Sequence, residues 1–277
     1  MEKATAESWR RISLDVGSDA EGVTAAVAAI LEQGARGRSE LAAFTDEELQ
    51  SLDGELEPVA AQPWLSEQSD EQKDFAIAVA LRGLIARGLV VRLDADQGPD
   101  PERLMLSVPE EILALLRTRR QAEAIVLGER RTAVGTHHRY LYRHGNVAVE
   151  ESINPGGLHS FAVAPLAELA NDLAQWCDPE SVACRDGVEQ HVSLTSIAAG
   201  EDMPGPIEEA RVVSVLIAVG PDFNGSGEPS QKRVSVYIGD GKLFVAETGR
   251  KSGYLTVREV SETTLKEILA RLIGAAA

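Results

Sequence analysis

An internal repeat constrains the fold of this chain more than any other feature of its sequence. The stretch RHGNVAVEESINPGGLHSF, residues 143–161, aligns without a gap with GDGKLFVAETGRKSGYLTV, residues 239–257. The offset of 96 residues pairs two turn glycines in each copy, Gly145 with Gly241 and Gly157 with Gly253. Self-similarity at one offset is typical of a duplicated supersecondary unit. We therefore predict that one structural module occurs twice in the second half of the chain.

Each copy has the pattern of four antiparallel strands and a closing helix. In the first copy, strand patterns occur in AEAIVLGE, THHRYLYR, NVAVEES and LHSFAV, and PLAELANDLAQW has leucines at helical spacing. In the second copy, ARVVSVLIAV, KRVSVYIG, KLFVAE and YLTVREV precede the helix SETTLKEILARL. Asp240-Gly241 between two strand patterns is a strong hairpin signal. These patterns predict two related β-meander-plus-helix units that are able to share one sheet.

The alignment also predicts which faces of the strands are buried. At the offset of 96, His138, Tyr140 and Tyr142 align with the alternate valines and isoleucine of KRVSVYIG, which indicates a core-facing side. The less buried side then carries four apolar residues: Leu141, Tyr237, Phe244 and Tyr254. Either another element covers these four residues or they form a binding patch. Cover by another element is the commoner explanation, and the four residues are the candidate partner-binding residues if no element covers them.

The N-terminal part is predicted to be mainly helical. Residues 19–34 form an Ala-rich amphipathic pattern that is followed by glycine, and a capping-box-like signal at Thr45 begins a second helix. The clearest helical pattern begins near Ser69 and ends at Gly88. We place five of its apolar residues on one side of that helix: Phe75, Val79, Leu81, Leu84 and Ile85.

A hairpin and a further helix complete this part. LVVRLDA and ERLMLSV flank the polar loop DQGPDP, and Pro109 begins the helix PEEILALLRTRR. The order of helix, helix, hairpin and helix resembles a winged helix. The predicted fold class is therefore α+β: an N-terminal helical part with a winged-helix-like hairpin, then two antiparallel meander-plus-helix units with quasi-two-fold symmetry. The predicted boundaries are 1–120, 121–178, a connecting segment at 179–209, and 210–277.

The charge of the chain disfavours partners that carry phosphate groups. The formal net charge is −17, and residues 1–110 contribute most of it, with 22 acidic and 10 basic side chains. Such a chain is repelled by nucleic-acid backbones and by anionic lipid. Five arginines form one basic cluster, which we expect to balance the acidic N-terminal part: Arg117, Arg119, Arg120, Arg130 and Arg131.

Targeting and membrane signals are missing from the sequence. MEKATAESWRR has no apolar signal-peptide core, and the apolar run VVSVLIAV is only long enough for a strand. We therefore expect a soluble cytoplasmic protein that binds neither nucleic acid nor membranes.

Patterns that would indicate a metal site are incomplete. Four of the five histidines lie in the first copy, but the second copy has Arg233, Val234, Asp240 and Leu255 at the matching positions. Cys177 and Cys184 are spaced neither as a zinc knuckle nor as a redox pair. DFNGSGEPSQKR resembles the first half of a calcium loop, but Arg233 stands where a bidentate glutamate is needed, so we predict a hairpin loop. No metal and no cofactor are expected.

Signals for catalysis are missing too. The chain has no nucleophile elbow, phosphate loop or dinucleotide fingerprint. Paired acids such as Glu150-Glu151 and Glu208-Glu209 are interpreted as solvated charges. These observations favour a binding protein over an enzyme.

Two segments carry a resemblance to a known family. VALRGLIARGLV, followed by LMLSVPEEILALLRTRRQAEAIV, resembles the EspG family of cytosolic chaperones of actinobacterial type VII secretion systems. RVSVYIGDGKLFVAETGRKSGYLTVREVSETTLKEILARL is similar to the closing strands and helix of that family. The resemblance covers roughly residues 45–175 and 210–274, while the first forty residues depart from it. It implies quasi-two-fold symmetry and binding of the hydrophobic tips of secreted helical partners, without catalysis.

The sequence thus favours a non-catalytic protein-binding chaperone or adaptor that acts on type VII secretion substrates as a monomer or homodimer. Two alternatives stay open. The first is a winged-helix transcriptional regulator with a C-terminal sensing or dimerisation region. The second is an enzyme whose site has no recognisable motif.

Overall fold

A computed structural model describes residues 13–14, 20–54, 56–92, 105–198, 205–220, 230–248 and 253–274. Over these residues the protein combines helices with antiparallel sheet, so the α+β class is confirmed. The predicted loops at 96–101 and 222–229 lie outside the described residues. No helix in the described ranges is both long enough and apolar enough to span a lipid bilayer.

The helices begin and end close to the predicted positions. They are α1 (Ala20–Arg36), α2 (Asp46–Asp53), α3 (Pro63–Ser66), α4 (Asp70–Ala86), α5 (Glu110–Arg120), α6 (Leu166–Cys177), α7 (Leu194–Ala198), α8 (Gly205–Glu208) and α9 (Glu262–Ile273). Local capping explains several of these limits. Thr45 and Ser69 form complete capping boxes with Glu48 and Gln72, so the orphan amides at the starts of α2 and α4 have partners.

The strands form two sheets in the described part of the chain. They are β1 (Ser13–Leu14), β2 (Ser39–Thr45), β3 (Val91–Arg92), β4 (Met105–Ser107), β5 (Ala124–Thr132), β6 (Gly135–His144), β7 (Val147–Ile153), β8 (Leu158–Pro165), β9 (Gln190–Ser193), β10 (Val212–Gly220), β11 (Ser230–Gly239), β12 (Lys242–Thr248) and β13 (Tyr254–Glu259). A small sheet has the order β1-β4-β3, in which β3 and β4 pair antiparallel. The large sheet has the order β2-β8-β7-β6-β5-β10-β11-β12-β13-β9.

The described residues divide into two compact units. The first unit lies within residues 1–32, 41–121 and 153–161, and it includes α2 to α5 with the small sheet. Its interior contains Leu49, Leu84, Leu106 and Leu115, each 3% exposed or less. The acidic Asp53 is also buried there, where it pairs with Arg119 at 3.4 Å and with Arg120 at 3.1 Å. Two members of the predicted basic cluster therefore do balance an acidic residue.

The second unit lies within residues 33–40, 122–152 and 162–277. In it, α6 and α9 pack against each other and cover one face of the sheet. The core cluster joins Leu169 and Leu173 of α6 to Leu265 and Leu269 of α9, all 1% exposed or less. This covered face receives alternate residues of each strand, as the pleat requires.

Strands β6 and β7 do not follow the offset of 96 that the ungapped alignment uses. His144 ends β6 and Gly239 ends β11, a separation of 95 residues, whereas Leu166 begins α6 and Glu262 begins α9, a separation of 96 residues. A slip of one residue moves every side chain of a strand to the other face. The side of β6 and β7 that was predicted to match the core-facing side of β11 and β12 is therefore the opposite side of the sheet, and that prediction was wrong.

Leu141 illustrates this correction. It was predicted on the less buried side, yet it is 2% exposed and belongs to the core cluster with Val236 and Ile238. Tyr142 lies on the other face of β6, opposite Ile125 of β5. Leu141 therefore has no free surface with which to contact a partner.

The apolar residues of α4 also lie on two sides rather than one. Residues of an α-helix rotate by about 100° per position, so Phe75 and Val79 share a side while Leu84 lies opposite. Leu84 is fully buried, whereas Phe75 is 73% exposed and Val79 is 48% exposed. The prediction of a single apolar side for this helix was wrong.

Candidate protein-binding surfaces

The second unit has an apolar face on its sheet, on the side away from the core cluster of α6 and α9. We define the sheet patch by six residues: Val213, Val215, Ile217, Val219, Tyr237 and Phe244. In β10, residues 212, 214, 216 and 218 are buried, whereas the alternate positions are partly or fully exposed. Val219 is 47% exposed. The patch therefore exposes aliphatic and aromatic side chains on neighbouring strands.

Pairing across the strands brings two of the predicted contact residues together. Tyr237 of β11 lies opposite Phe244 of β12 on one side and opposite Val213 of β10 on the other. Both aromatic side chains are half-buried. Tyr254 is also half-buried. Phe244 lies opposite Glu259 of β13, and Tyr254 is five positions before Glu259, so the side chain of Tyr254 lies on the other side of the sheet. Tyr237 and Phe244 are therefore the two predicted residues that share one surface.

The first unit has a second candidate surface, which we call the helical groove. It is an opening of about 670 Å³ formed by α2, α3 and α4. We define it by three apolar residues and three acidic residues that line it: Trp64, Phe75, Val79, Glu47, Glu48 and Glu71. The sequence patterns described above do not predict this groove. The signal that indicates it is the apolar pair Phe75 and Val79, whose i, i+4 spacing forms a stripe separate from the buried stripe.

A buried network holds one wall of the helical groove in place. The carboxylate of Asp46, the first residue of α2, accepts hydrogen bonds from the backbone amides of Trp64 and Leu65, each at 2.8 Å. Its other oxygen lies 2.6 Å from Nε2 of His159, and both side chains are 1% exposed or less. Asp46 thereby fastens the start of α3, and with it Trp64, to the start of α2.

Gly157 completes this network because no larger residue fits there. Its φ is +74°, in the left-handed region that favours glycine. A Cβ atom at this position would lie 2.7 Å from Oδ2 of Asp46 and 2.9 Å from Cβ of Trp64. The Gly157 carbonyl also accepts a hydrogen bond from the Asp46 amide at 2.9 Å. The shape of this wall thus depends on a glycine that the repeat alignment treated only as a turn residue.

The acidic residues of the helical groove differ in their partners. Arg87 forms an ion pair with Glu48. In the described part of the chain, no salt bridge involves Glu47 or Glu71. Lysine and arginine are absent from the described residues that line the groove. The groove therefore combines an apolar stripe with uncompensated negative charge.

The paired acids of β7 lie in the interior of the second unit. Glu150 is 1% exposed, with Arg139 Nε at 3.1 Å and Arg38 Nη1 at 2.8 Å from its carboxylate oxygens. Burial raises the pKa of Glu150, but the two guanidinium groups outweigh it and hold that pKa below its ordinary value. Glu151 is fully buried and accepts a 2.6 Å hydrogen bond from the Tyr142 hydroxyl. The interpretation of this pair as solvated charges was wrong, whereas Glu208 and Glu209 are exposed as expected.

Groups with chemical reactivity are few in the described residues. Cys177 is fully buried, and burial raises the pKa of its thiol to about 12, so it stays protonated at neutral pH. Cys184 is exposed, and both thiols are free. Burial lowers the pKa of His137, and the positive charge of Arg130 adds to that effect. No group of three or more potential metal ligands occurs within the described ranges.

Comparisons with known proteins show the fold of the chain. No protein-family model matches the sequence, and no curated protein matches it. The structure is similar to that of the Mycobacterium tuberculosis type VII secretion system chaperone EspG5, which was solved in complex with the PE25–PPE41 dimer. The TM-score is 0.55 and the sequence identity 11%, over 85% of this chain and 96% of that chain. This likeness shows a shared α+β fold.

Proposed function

We propose that this protein is a non-catalytic chaperone or adaptor that binds another protein. The observation that carries the proposal is the sheet patch, because partly exposed apolar side chains on adjacent strands of a folded unit are typical of an interaction surface. Tyr237 and Phe244 are the proposed anchors, since aromatic residues supply much of the binding energy of interfaces. Tyr254 keeps its predicted contact role only as a secondary position on the opposite side of the sheet.

The partner that we propose is a helical substrate of a type VII secretion system. Two observations support this choice: the EspG-like segments of the sequence and the likeness of the fold to EspG5, whose structure contains a bound protein dimer. The chain would act in the cytoplasm, as a monomer or homodimer, and would keep the apolar end of its partner from aggregating. It would need no cofactor or metal for this role.

The duplicated architecture is part of the same proposal. The segments β5–β8 with α6 and β10–β13 with α9 have the same order of elements, and β5 pairs antiparallel with β10 between them. An antiparallel central pair is what a quasi-two-fold axis through the sheet would produce, which supports two copies of one module. We keep the predicted boundaries of 121–178 and 210–277 for these copies, 1–120 for the helical part, and 179–209 for the connection.

Photo-crosslinking tests the proposed binding surface. A photoreactive phenylalanine analogue replaces Tyr237 in one variant and Val134 in another. Val134 is 81% exposed in the β5–β6 turn and therefore serves as a matched control outside the patch. We expect irradiation of cells to join the Tyr237 variant to one discrete protein and to leave the Val134 variant free. Equal products from both positions would refute the proposal.

A winged-helix regulator is the second candidate. The antiparallel pairing of β3 and β4 between α4 and α5 favours it. The net charge of −17 opposes it, because phosphate contacts need basic surface. A gel shift at low salt separates the two candidates: the chaperone proposal expects no retained DNA, and a saturable shift would favour the regulator.

A further inference from the structure

We propose that the helical groove binds a basic amphipathic helix of a partner protein. This inference rests on the proposed protein-binding function, to which it adds a second contact surface and the chemistry of its occupant. The groove has about 670 Å³ of open volume, enough to receive several side chains at once. Amphipathic helices commonly bind in such grooves through apolar residues spaced three or four positions apart.

The apolar part of the groove matches a helix rather than an extended peptide. Phe75 and Val79 are one turn apart on α4, and their exposed fractions of 73% and 48% leave them available. Trp64, 38% exposed, is the third large apolar side chain. Between these, Ala76 and Ala80 line the groove with small side chains, so a second helix can approach α4 closely. A stripe of this kind is complementary to an i, i+4 stripe on the occupant.

The charge of the groove specifies the polar residues of the occupant. Glu47 and Glu71 line it, and no salt bridge in the described part of the chain involves either carboxylate. Asp70 adds negative charge at the start of α4. A helix with lysine or arginine beside its apolar stripe, at the end that meets Glu47 and Glu71, complements this arrangement.

Two designed peptides test the inference directly. The first is a labelled amphipathic helix of about five turns built from leucine, alanine and lysine, and the second has glutamate in place of each lysine. Fluorescence anisotropy measures their binding to the full chain. We expect the basic peptide to bind at least about tenfold more tightly than the acidic peptide, with an affinity that falls as salt increases.

Variants of the protein separate the groove from general attraction to an acidic chain. The double variant Phe75→Ser/Val79→Ser keeps the net charge and is expected to weaken binding of the basic peptide about tenfold or more. Val134→Ser is the matched control, since it removes an exposed apolar residue outside the groove and should leave binding unchanged. Glu47→Gln/Glu71→Gln keeps the shape of the groove and should reduce both the affinity and its salt dependence.

Several results would overturn the inference. One is equal binding of the basic and acidic peptides, and another is unchanged affinity in the Phe75→Ser/Val79→Ser variant. If that variant instead converts a dimer into a monomer, the occupant is a second copy of this chain and the inference is wrong. Crosslinking at Tyr237 separates failure of the groove inference from failure of the proposed function. If Tyr237 is crosslinked to a partner but peptide binding does not depend on the groove, only the groove inference is rejected.

Discussion

Glu150 is a buried charge of the second unit that depends on two arginine partners. It is 1% exposed, and its carboxylate lies between the guanidinium groups of Arg139 and Arg38. Arg38 also contacts Asp172 at 2.8 Å, so the ion pairs join β7 to α6. A buried charge of this kind is tolerated only while its partners remain in place.

The variant Glu150→Gln should lower the free energy of unfolding by about 3 kcal/mol at pH 7, because it leaves Arg139 without its charged partner. The pKa of Glu150 is lowered in the folded state, so its contribution is present above the unfolded-state pKa and is lost as the pH falls through the folded-state pKa. The difference between wild type and variant should therefore be constant from pH 7 to about pH 5 and shrink at lower pH. Urea unfolding across this range measures it.

The exposed Glu208 provides the control for that measurement. Glu208→Gln should change the free energy of unfolding by less than about 0.5 kcal/mol at every pH. A Glu150→Gln variant that behaves like Glu208→Gln would contradict the account of this ion-pair cluster.

At the scale of elements, the start of α3 depends on α2. Asp46 accepts hydrogen bonds from the amides of Trp64 and Leu65 and contacts His159, all within the first unit. The groove wall that carries Trp64 therefore has its position set by one carboxylate rather than by helix propensity, since α3 is only four residues long.

Asp46→Ala should destabilise the first unit by about 3 kcal/mol, because two backbone amides lose their acceptor in a buried site. Asp46→Asn keeps an acceptor oxygen, so its free energy of unfolding should fall clearly less than that of Asp46→Ala. Urea unfolding followed by tryptophan fluorescence measures the change in the free energy of unfolding. Equal stability of the Ala and Asn variants would show that the carboxylate does not fasten α3.

Sequence signals predicted the elements better than they predicted the faces. Capping boxes at Thr45 and Ser69, and the turn glycines, are local patterns, so the limits of α2, α4 and the hairpins followed from them. The face on which a side chain lies depends on whether its position along the strand is odd or even. Because β6 and β11 are 95 residues apart and not 96, the ungapped alignment assigns Leu141 to the wrong face.

The two binding surfaces were harder still to predict. VVSVLIAV is apolar at nearly every position, so alternation cannot separate its covered face from the sheet patch. The helical groove is assembled from α2, α3 and α4, and only the i, i+4 pair of Phe75 and Val79 indicates it locally. The alternation of the strands predicts Tyr237 and Phe244 on the less buried face, and the register places them opposite each other.

Three properties of the whole molecule support the proposed chaperone role. The chain has a formal net charge of −17, which favours solubility and opposes binding to nucleic acid. Its fold is similar to that of EspG5. Each compact unit has an exposed apolar surface, the helical groove in the first and the sheet patch in the second. These properties suit a protein that shields the apolar surface of another protein without chemistry of its own.

Purification of the tagged protein from its native host shows whether the chain binds another protein through the sheet patch. Light scattering during size-exclusion chromatography gives the mass of the species that carries the tag, and mass spectrometry identifies its components. We expect a stoichiometric complex with one helical protein for the wild type, and the free chain for Tyr237→Glu/Phe244→Glu with its fold retained. A wild type that elutes without a partner, or a double variant that keeps the partner, would contradict it.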